Sequence, residues 1–286
     1  MKLLFLSFYF EPDLCAGSFR NTPLFQEIKS RLGVNDFIHV ITTQPNRYKT
    51  FKVSGKEEEF GENFVIDRIT IPEHKGGMLD QARSFIVFYC EAMKRVEHEE
   101  FDLVYASSSR LFTAFLGKRI ASSKKCPLYL DIRDIFVDTM KDVLKNKKVL
   151  QVPVIAFTKI VEKYTFSNAA HINLVSEGFK EYFSKYRHPS YTFFTNGIDD
   201  VFLAAESNTN EEVQRPWIIT YAGNMGSGQG LEKIIPLAAK RLGHDYLFRL
   251  IGDGGTRRLL QQKLEELQIT NVELLNPVSR KELLEY

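Results

Sequence analysis

The sequence predicts an α/β protein built from doubly wound parallel sheets. Apolar runs of strand length alternate with helix-length segments from the first residues onward, beginning with Lys2–Ser7. No two-residue hairpin turn joins successive runs, which favours parallel strands linked by helical crossovers. At 286 residues the chain is long enough for two domains of ordinary size.

The first part of the chain contains repeated strand–helix units. Lys2–Ser7 is nearly continuously apolar, as expected of a parallel strand buried on both faces. The polar stretch 44–63 predicts an exposed excursion. The predicted strands are Lys2–Ser7, Phe37–Thr42, Phe64–Ile71, Leu103–Tyr105, Leu128–Ile132, Ala170–Val175 and Tyr191–Thr195; the predicted helices are Asn21–Leu32, Met78–Glu100, Arg110–Ser122, Val149–Phe166 and Glu177–Tyr186.

A polar, acidic segment closed by a proline, residues 206–216, predicts a linker. It separates an N-terminal domain, 1–205, from a C-terminal domain, 217–286, in which the same alternation restarts. Three parallel strands make a thin sheet with an open edge, so we expect this second domain to be incomplete. Its predicted strands are Trp217–Ala222, Tyr246–Ile251 and Val272–Leu275, and its helices are Leu231–Leu242, Thr256–Leu267 and Arg280–Tyr286.

Composition excludes several classes of protein. A formal net charge of +2 gives no global basic field for nucleic acid. Cys15, Cys90 and Cys126 show no metal-ligand spacing and are odd in number, which argues against a disulfide framework or a zinc site and favours a reducing compartment. No window approaches 18 apolar residues, as a membrane-spanning helix would require.

Two glycine-rich loops follow strands of the C-terminal domain. After Trp217–Ala222 come Gly223, Asn224 and Gln229, with further glycines, and then a helix. Backbone N–H groups and a helix N-terminus in this layout can hold a phosphate, although glycines after a strand are also simply tight turns. The spacing matches neither the dinucleotide fingerprint nor a Walker loop. The second loop carries Gly252 and Gly254 and leads into a helix that begins with Arg257 and Arg258.

The N-terminal domain has its own candidates at strand ends, where ligands of open parallel sheets bind. After the first strand, Gly17 and Ser18 precede Arg20, which could pair with a phosphate or be a surface arginine. Later, Asp131 and Asp134 flank an arginine at the end of Leu128–Ile132. They could include a general base, with Asp134 the first candidate, or form an ion pair that holds the loop.

A basic stretch, Lys141–Lys148, precedes an apolar-rich segment. A solvated basic face is the usual meaning of such a stretch. A cationic edge beside exposed apolar residues could also contact an anionic membrane.

These motifs together resemble those of bacterial family 4 glycosyltransferases of the GT-B fold, in the branch that acts on acetamido sugars in lipopolysaccharide and capsule assembly. The resemblance runs through the whole chain in order. The segments that carry it are FYFEPDLCAGSFR, DIRDIFVDT, NLVSEGF, TNGID, YAGNMGSGQGLEKII, IGDGGTRRLL and NPVSRKELLEY. It differs from the family pattern in having Phe136 for Trp, Val137 for Pro and Thr195 for Pro.

The resemblance implies a GT-B fold, in which two Rossmann-like parallel-sheet domains face a cleft. It implies retaining transfer of a sugar from a UDP-linked nucleotide donor to a lipid-linked or saccharide acceptor, with no cofactor and no obligatory metal. It places Asp134 and Asp131 near the transferred sugar. The donor's phosphates and nucleotide would meet Gly17, Ser18, Arg20, Gly223, Asn224, Gln229, Gly252 and Gly254. The resemblance also implies that the protein is located in the cytoplasm and makes peripheral contact with the inner face of the plasma membrane.

The family pattern continues beyond Tyr286 with a strand, paired glutamates and closing helices. We therefore expect the second domain to lack part of its donor pocket, and the activity of this chain to be weak if the chain is whole. The alternative is a non-catalytic remnant that binds a partner without turnover. A dinucleotide-dependent oxidoreductase is disfavoured because G-x-G-x-x-G does not follow the first strand.

Overall fold

The structure is a computed structural model that describes residues 1–46, 54–72, 78–108, 111–198, 200–203, 215–226 and 228–286. Its contacts divide the chain into two compact units, one within residues 1–196 and one that includes Gly197–Tyr286. The predicted boundary lay at residue 205, with a linker over 206–216. Most of that linker lies outside the described residues, so its role stays a prediction.

The first unit is organised around an eight-stranded sheet in the order β3-β4-β2-β1-β5-β6-β7-β8. All neighbouring strands pair in parallel except β3, which is antiparallel to β4. The α/β prediction of a parallel sheet is therefore confirmed. The strands are β1 (Lys2–Ser7), β2 (Phe37–Thr43), β3 (Glu58–Phe60), β4 (Phe64–Ile69), β5 (Leu103–Ser108), β6 (Leu128–Ile132), β7 (His171–Leu174) and β8 (Ser190–Thr192).

Alternating residues of β1 pack on opposite faces of this sheet. Leu4 and Leu6 belong to the core on one face, while Leu3 and Phe5 belong to the core on the other. Burial on both faces explains the continuous apolar run in the sequence. The helices of this unit are α1 (Ala16–Ser30), α2 (Met78–Arg95), α3 (Leu111–Lys124), α4 (Phe136–Val143), α5 (Lys148–Phe166) and α6 (Lys180–Phe183).

Some elements differ from the sequence prediction, among them the unpredicted helix Asp200–Leu203 and the predicted helix Glu177–Tyr186, whose α-helical part spans only Lys180–Phe183. Helix α1 begins at Ala16 rather than Asn21, so Gly17 and Arg20 lie in its first turns. Glycine is a poor helix former, which masked this start. The polar excursion contains the three-residue strand β3, and the eight-residue helix α4 was not predicted, because elements this short span too few repeats to give a clear periodic signal.

The second unit has a three-stranded parallel sheet in the order β11-β10-β9. Its core lies between this sheet and two helices, with Met225, Phe248 and Leu250 buried. The strands are β9 (Trp217–Ala222), β10 (Tyr246–Ile251) and β11 (Val272–Leu275), and the helices are α7 (Asp200–Leu203), α8 (Leu231–Leu242), α9 (Arg257–Glu266) and α10 (Arg280–Leu283). Within the described residues, β9 has a strand partner on one side only, and Trp217 is 46% exposed. Among the described helices, none combines the length and apolar character needed to cross a membrane.

Gly117 lets α3 pack closely on the sheet, because a Cβ there would lie 2.7 Å from the Cβ of Ala106 on β5. We expect Gly117→Val to lower the free energy of unfolding by about 1–3 kcal/mol through overpacking. Thermal unfolding followed by circular dichroism would measure this. Ser122→Val, at an exposed position of the same helix, is the matched control. Equal stability of the two variants would contradict the close packing.

Candidate functional site

Asp131 is the centre of a buried hydrogen-bond network at the carboxyl end of β6. Its side chain is 2% exposed. Arg20 of α1 binds it in a bidentate manner, with Nε 2.8 Å from Oδ2 and Nη2 2.8 Å from Oδ1. Ser107 of β5 donates to Oδ2 and Asn173 of β7 donates to Oδ1. The carboxylate therefore ties three adjacent strands to α1.

The network fixes the chain that follows β8. The remaining N–H groups of Arg20 donate to this segment. Nη2 donates to the backbone oxygen of Phe194 at 3.0 Å, and Nη1 donates to the backbone oxygen of Thr195 at 2.8 Å and to the side-chain oxygen of Asn196 at 3.3 Å. Asn173 also accepts a hydrogen bond from the Phe194 N–H. All N–H donors of the Arg20 guanidinium are thus directed at protein acceptors.

The charge of Arg20 determines the ionisation of Asp131. Burial by itself would raise the pKa of Asp131. The hydrogen bonds and positive charge of Arg20, with the hydrogen bond from Asn173, outweigh burial and hold the pKa below its usual range. A carboxylate that stays ionised and accepts four hydrogen bonds is better suited to positioning than to proton transfer. Of the sequence alternatives, the ion pair is present, but Arg20 rather than the neighbouring Arg133 is the partner.

Asp134 lies in a different environment, three residues further along. It is half-buried, and it accepts hydrogen bonds from the Thr139 hydroxyl, with its two oxygens 3.0 and 3.2 Å from Oγ1. Burial raises the pKa of Asp134, partly opposed by this hydrogen bond and one from the Ile135 N–H. A carboxylate that has a raised pKa and contacts no cation among the described residues is suited to accepting or donating a proton.

Arg133 is a candidate that the sequence analysis did not single out. Its Nη1 donates to the Ala16 backbone oxygen at 3.3 Å, and its Nη2 would lie 3.4 Å from a Cβ at Gly17. Its Nε is buried and has no hydrogen-bond partner among the described residues. The guanidinium therefore lies beside the N-terminus of α1, where first-turn N–H groups also attract anions.

Gly17 and Ser18 lie within this first turn and are both buried. A Cβ at Gly17 would lie 3.0 Å from the Cβ of Tyr9, so glycine permits close packing against the chain after β1. The structure thus brings Gly17, Ser18 and Arg133 together. The position of Arg133 between two aspartates at a strand end was the available signal, but its direction could not be inferred from spacing.

In the second unit, the two glycine loops lie against each other. The Gly223 N–H donates to the Ile251 oxygen, and the Met225 N–H donates to the Asp253 oxygen. Gly252 and Gly254 have φ angles of 147° and 159°. A Cβ at Gly252 would overlap the Gly223 oxygen, and one at Gly254 would overlap the Met225 backbone. Both glycines are therefore required for the loops to approach.

Asn224 and Gln229 are neighbours at the tip of the first loop. The Asn224 amide nitrogen lies 3.4 Å from the Gln229 side-chain oxygen, which also accepts from the Gly226 N–H at 3.2 Å. Gly230, with φ of 63°, directs the chain into α8. The loop therefore presents polar amides beside the N-terminus of a 12-residue helix.

Two further sequence candidates have structural partners. Arg257 reaches the Leu274 oxygen through Nη2 at 3.2 Å, so it is not simply an exposed arginine, although its Nε is buried and finds no hydrogen-bond partner in the described part of the chain. Ser176 accepts a hydrogen bond from the Gly178 N–H and so caps the short helical turn that begins at Glu177. In the described parts of the chain, no group of His, Cys, Asp and Glu side chains is arranged to hold a metal ion.

Comparison with known proteins shows a fold but no family. The sequence matches no protein-family model, and no curated protein matches it significantly. In structure, the chain is similar to HepE from Anabaena, solved in complex with UDP-glucose, with a TM-score of 0.62, 13% identity, and coverage of 98% of this chain and 70% of that one.

Two other solved structures are similar over a comparable extent. One is a UDP-N-acetylglucosamine 2-epimerase, with a TM-score of 0.54 and 11% identity over 99% of this chain and 70% of that one. The other is UGT73P12 from Glycyrrhiza uralensis, complexed with glycyrrhetinic acid 3-O-monoglucuronide, with a TM-score of 0.53 and 10% identity over 99% and 70%. The predicted α/β fold of the GT-B type is thereby confirmed.

Removing Arg20 would leave Asp131 as a buried, unpaired charge. We expect Arg20→Met to lower the free energy of unfolding by about 3–5 kcal/mol near neutral pH. Urea denaturation would measure this. The double variant Arg20→Met with Asp131→Asn should recover part of the loss because the unpaired charge is gone. No recovery would show that Arg20 acts through packing rather than charge.

The same pair predicts a pH dependence. The folded-state pKa of Asp131 is depressed, so its stabilisation is present above the unfolded pKa of about 3.9 and is lost as pH falls through the folded value. In Arg20→Met, unopposed burial raises that pKa. The stability difference between the two proteins should therefore be largest near neutral pH and shrink on acidification. A difference that is independent of pH would contradict this ionisation.

The glycine pair in the second unit predicts a position-specific loss of stability. Gly252→Ala should cost about 2 kcal/mol or more, because the added Cβ meets backbone and the φ angle is strained. Gly255→Ala is the matched control, since a Cβ there meets nothing within 4 Å, and should change stability by about 0.5 kcal/mol at most. Chemical denaturation would compare the two. Equal losses would contradict the close loop contact.

Proposed function

We propose that this protein is a glycosyltransferase that moves a sugar from a nucleotide-sugar donor, UDP-linked, to an acceptor hydroxyl. The observation that carries the proposal lies at the carboxyl end of β6. There Arg133 lies beside the N-terminus of α1, which attracts anions, and the next residue, Asp134, has a raised pKa. The shared GT-B fold, with HepE solved in complex with UDP-glucose, supports a nucleotide-sugar donor. Retention at the anomeric carbon and membership of family 4 rest on the motif resemblance.

Donor phosphates would bind at helix N-termini in each unit. In the first unit, the N–H groups of Gly17 and Ser18 and the Arg133 guanidinium offer charge and hydrogen bonds. Arg20 supports this site indirectly, because its donors already bind Asp131 and the chain after β8. Arg133, which has a buried Nε without a partner, takes the phosphate role that the sequence analysis gave to Arg20.

In the second unit, Gly223, Asn224 and Gln229 form the loop that would approach the diphosphate. The amide of Asn224 and the N-terminus of α8 supply donors without a full positive charge. Gly252 and Gly254 hold the adjoining loop against this one and so shape the pocket. Phosphate charge is met by dipoles and by arginine, so we propose no obligatory metal and no cofactor.

Asp134 would act as the general base that takes the proton from the acceptor hydroxyl. The acceptor oxygen would bond to the anomeric carbon on the same face from which the UDP oxygen leaves, as retention requires, and UDP would depart with the bonding electron pair. Its raised pKa means that the ionised form accumulates at higher pH than for an exposed aspartate. Asp131 would act as a positioning residue, because it holds Arg20 and the strand ends. Activity should therefore rise with pH through the raised pKa of Asp134.

The acceptor we propose is lipid-linked or saccharide, in assembly of a surface polysaccharide such as lipopolysaccharide or capsule. The resemblance supports this pathway and the acetamido-sugar branch. Exposed lysines from Lys141 to Lys148, next to exposed Val149 and Leu150, support peripheral contact with the inner face of the plasma membrane. The alternative remains a non-catalytic remnant that binds without turnover.

Nucleotide binding and sugar transfer together test this proposal. Calorimetry should show saturable UDP binding, which Gly223→Trp abolishes. With UDP-N-acetylglucosamine or UDP-glucose and an acceptor extract, Asp134→Asn should reduce transfer by about 100-fold or more and leave the UDP affinity unchanged.

Each contrary result has a distinct meaning. Binding of UDP without transfer from any donor would favour the remnant. Conversion of one UDP-sugar into another without acceptor would contradict a transferase. Thr139→Ser, which keeps the hydroxyl that binds Asp134, is the matched control and should retain activity. Full activity in Asp134→Asn would remove this residue from the chemistry.

A further inference from the structure

The first unit contains an apolar groove of about 510 Å³ between α2, α3, α4 and α5. Its walls are formed mainly by the aromatic side chains of Phe85, Phe112, Phe115, Phe136 and Phe157. Thr158, one of its few polar members, already donates its hydroxyl to the Ile155 oxygen. The groove therefore offers contact surface for hydrocarbon and little hydrogen bonding.

Helix α5 extends this apolar surface into solvent. Val149, Val152 and Ile160 are 94%, 71% and 69% exposed. At 3.6 residues per turn, these residues fall on one stripe of the helix. Phe157, itself 57% exposed, borders the stripe on the groove side. Stripe and groove form one continuous apolar surface, which is unusual for a face in contact with water.

Positive charge lines the other side of the stripe. Lys148 and Lys159 are exposed and fall next to one another on that side by the same helical geometry, and the exposed Lys163 falls within the stripe, next to Val152. Glu162 does not neutralise them, because it is buried and accepts hydrogen bonds from Tyr182 and Tyr186. An apolar helix face flanked by lysines matches an anionic lipid surface.

We propose that the groove holds the hydrocarbon chain of an anionic lipid, drawn from a bilayer on which α5 lies. A polar small molecule would find few partners in the lining. The flanking lysines select a negatively charged head.

This inference deepens the proposed function and rests on it for the role of the bound lipid. Phe136 lines the groove and is two residues from Asp134, so their Cα atoms are at most about 7.6 Å apart. A lipid whose chain packs against Phe136 would therefore lie near the carboxylate proposed as general base, while the lysines of α5 meet the negative charge of its head. The lipid is then the acceptor, or its anchor, rather than a structural additive.

Binding of cis-parinaric acid, a fluorescent fatty acid, to the full chain tests the groove. Saturable binding is expected, and Phe157→Glu should weaken it by about tenfold or more, since a carboxylate at the edge of the groove replaces apolar contact and repels an anionic ligand. Val34→Glu introduces the same charge at a 96% exposed position outside the groove and should bind as the parent does. Ala82→Trp, which fills the groove without a charge, should also weaken binding.

Flotation with vesicles tests the source of the lipid. Vesicles of phosphatidylcholine with phosphatidylglycerol should bind the chain, and phosphatidylcholine alone should not. Lys159→Glu and Ile160→Glu should each reduce binding, and Val34→Glu should not. Equal binding to both vesicle types, or unchanged fatty-acid binding in Phe157→Glu and Ala82→Trp, would overturn the inference.

UDP calorimetry on the same variants separates the two proposals. Thermal unfolding confirms that each variant folds. UDP binding without fatty-acid binding overturns the groove assignment and leaves the transferase standing. Fatty-acid binding without UDP binding supports the groove and contradicts the transferase.

Discussion

The bidentate pair between Arg20 and Asp131 is the constraint on which the candidate site of the first unit depends. It joins α1 to β6, and through Ser107 and Asn173 it also involves β5 and β7. A buried pair of this kind contributes less to stability than to geometry, because desolvation offsets much of its attraction. Its consequence here is orientation. With Arg20 committed to Asp131, Arg133 is a cation beside the α1 N-terminus whose Nε has no hydrogen-bond partner among the described residues, and Asp134 is a carboxylate with a raised pKa.

In the second unit, backbone contacts rather than an ion pair fix the geometry of the candidate site. Gly252 and Gly254 let one loop lie directly against another, so that peptide groups rather than side chains set the spacing. This leaves the tip of the first loop, with Asn224 and Gln229, as the polar feature beside α8. A site made of dipoles suits a doubly charged ligand that must also leave, since full charges would hold it more tightly.

Much of the fold could be predicted from the sequence because parallel strands buried on both faces have nearly continuous apolar sequences. Lys2–Ser7 and Leu128–Ile132 illustrate this. The candidate site could be located at strand ends but not assigned, because ion-pair partners come from distant positions. Arg20 and Asp131 are 111 residues apart, and no local pattern distinguishes this pairing from one between Asp131 and Arg133. In the sequence, a glycine that is required for contact between two loops likewise cannot be distinguished from a glycine that is required for binding a ligand.

Two carboxylates three residues apart therefore have opposite ionisation behaviour for a structural reason. Asp131 has a cation and two polar neighbours, so burial is outweighed and its pKa falls. Asp134 has a hydroxyl and one backbone N–H, so burial dominates and its pKa rises. The same separation of environments is how acid–base pairs are made from identical side chains. Helix α4, which begins at Phe136, holds Thr139 against Asp134 and also contributes Phe136 to the apolar groove. A short helix that was not predicted from the sequence thus connects the proposed chemistry to the proposed lipid site.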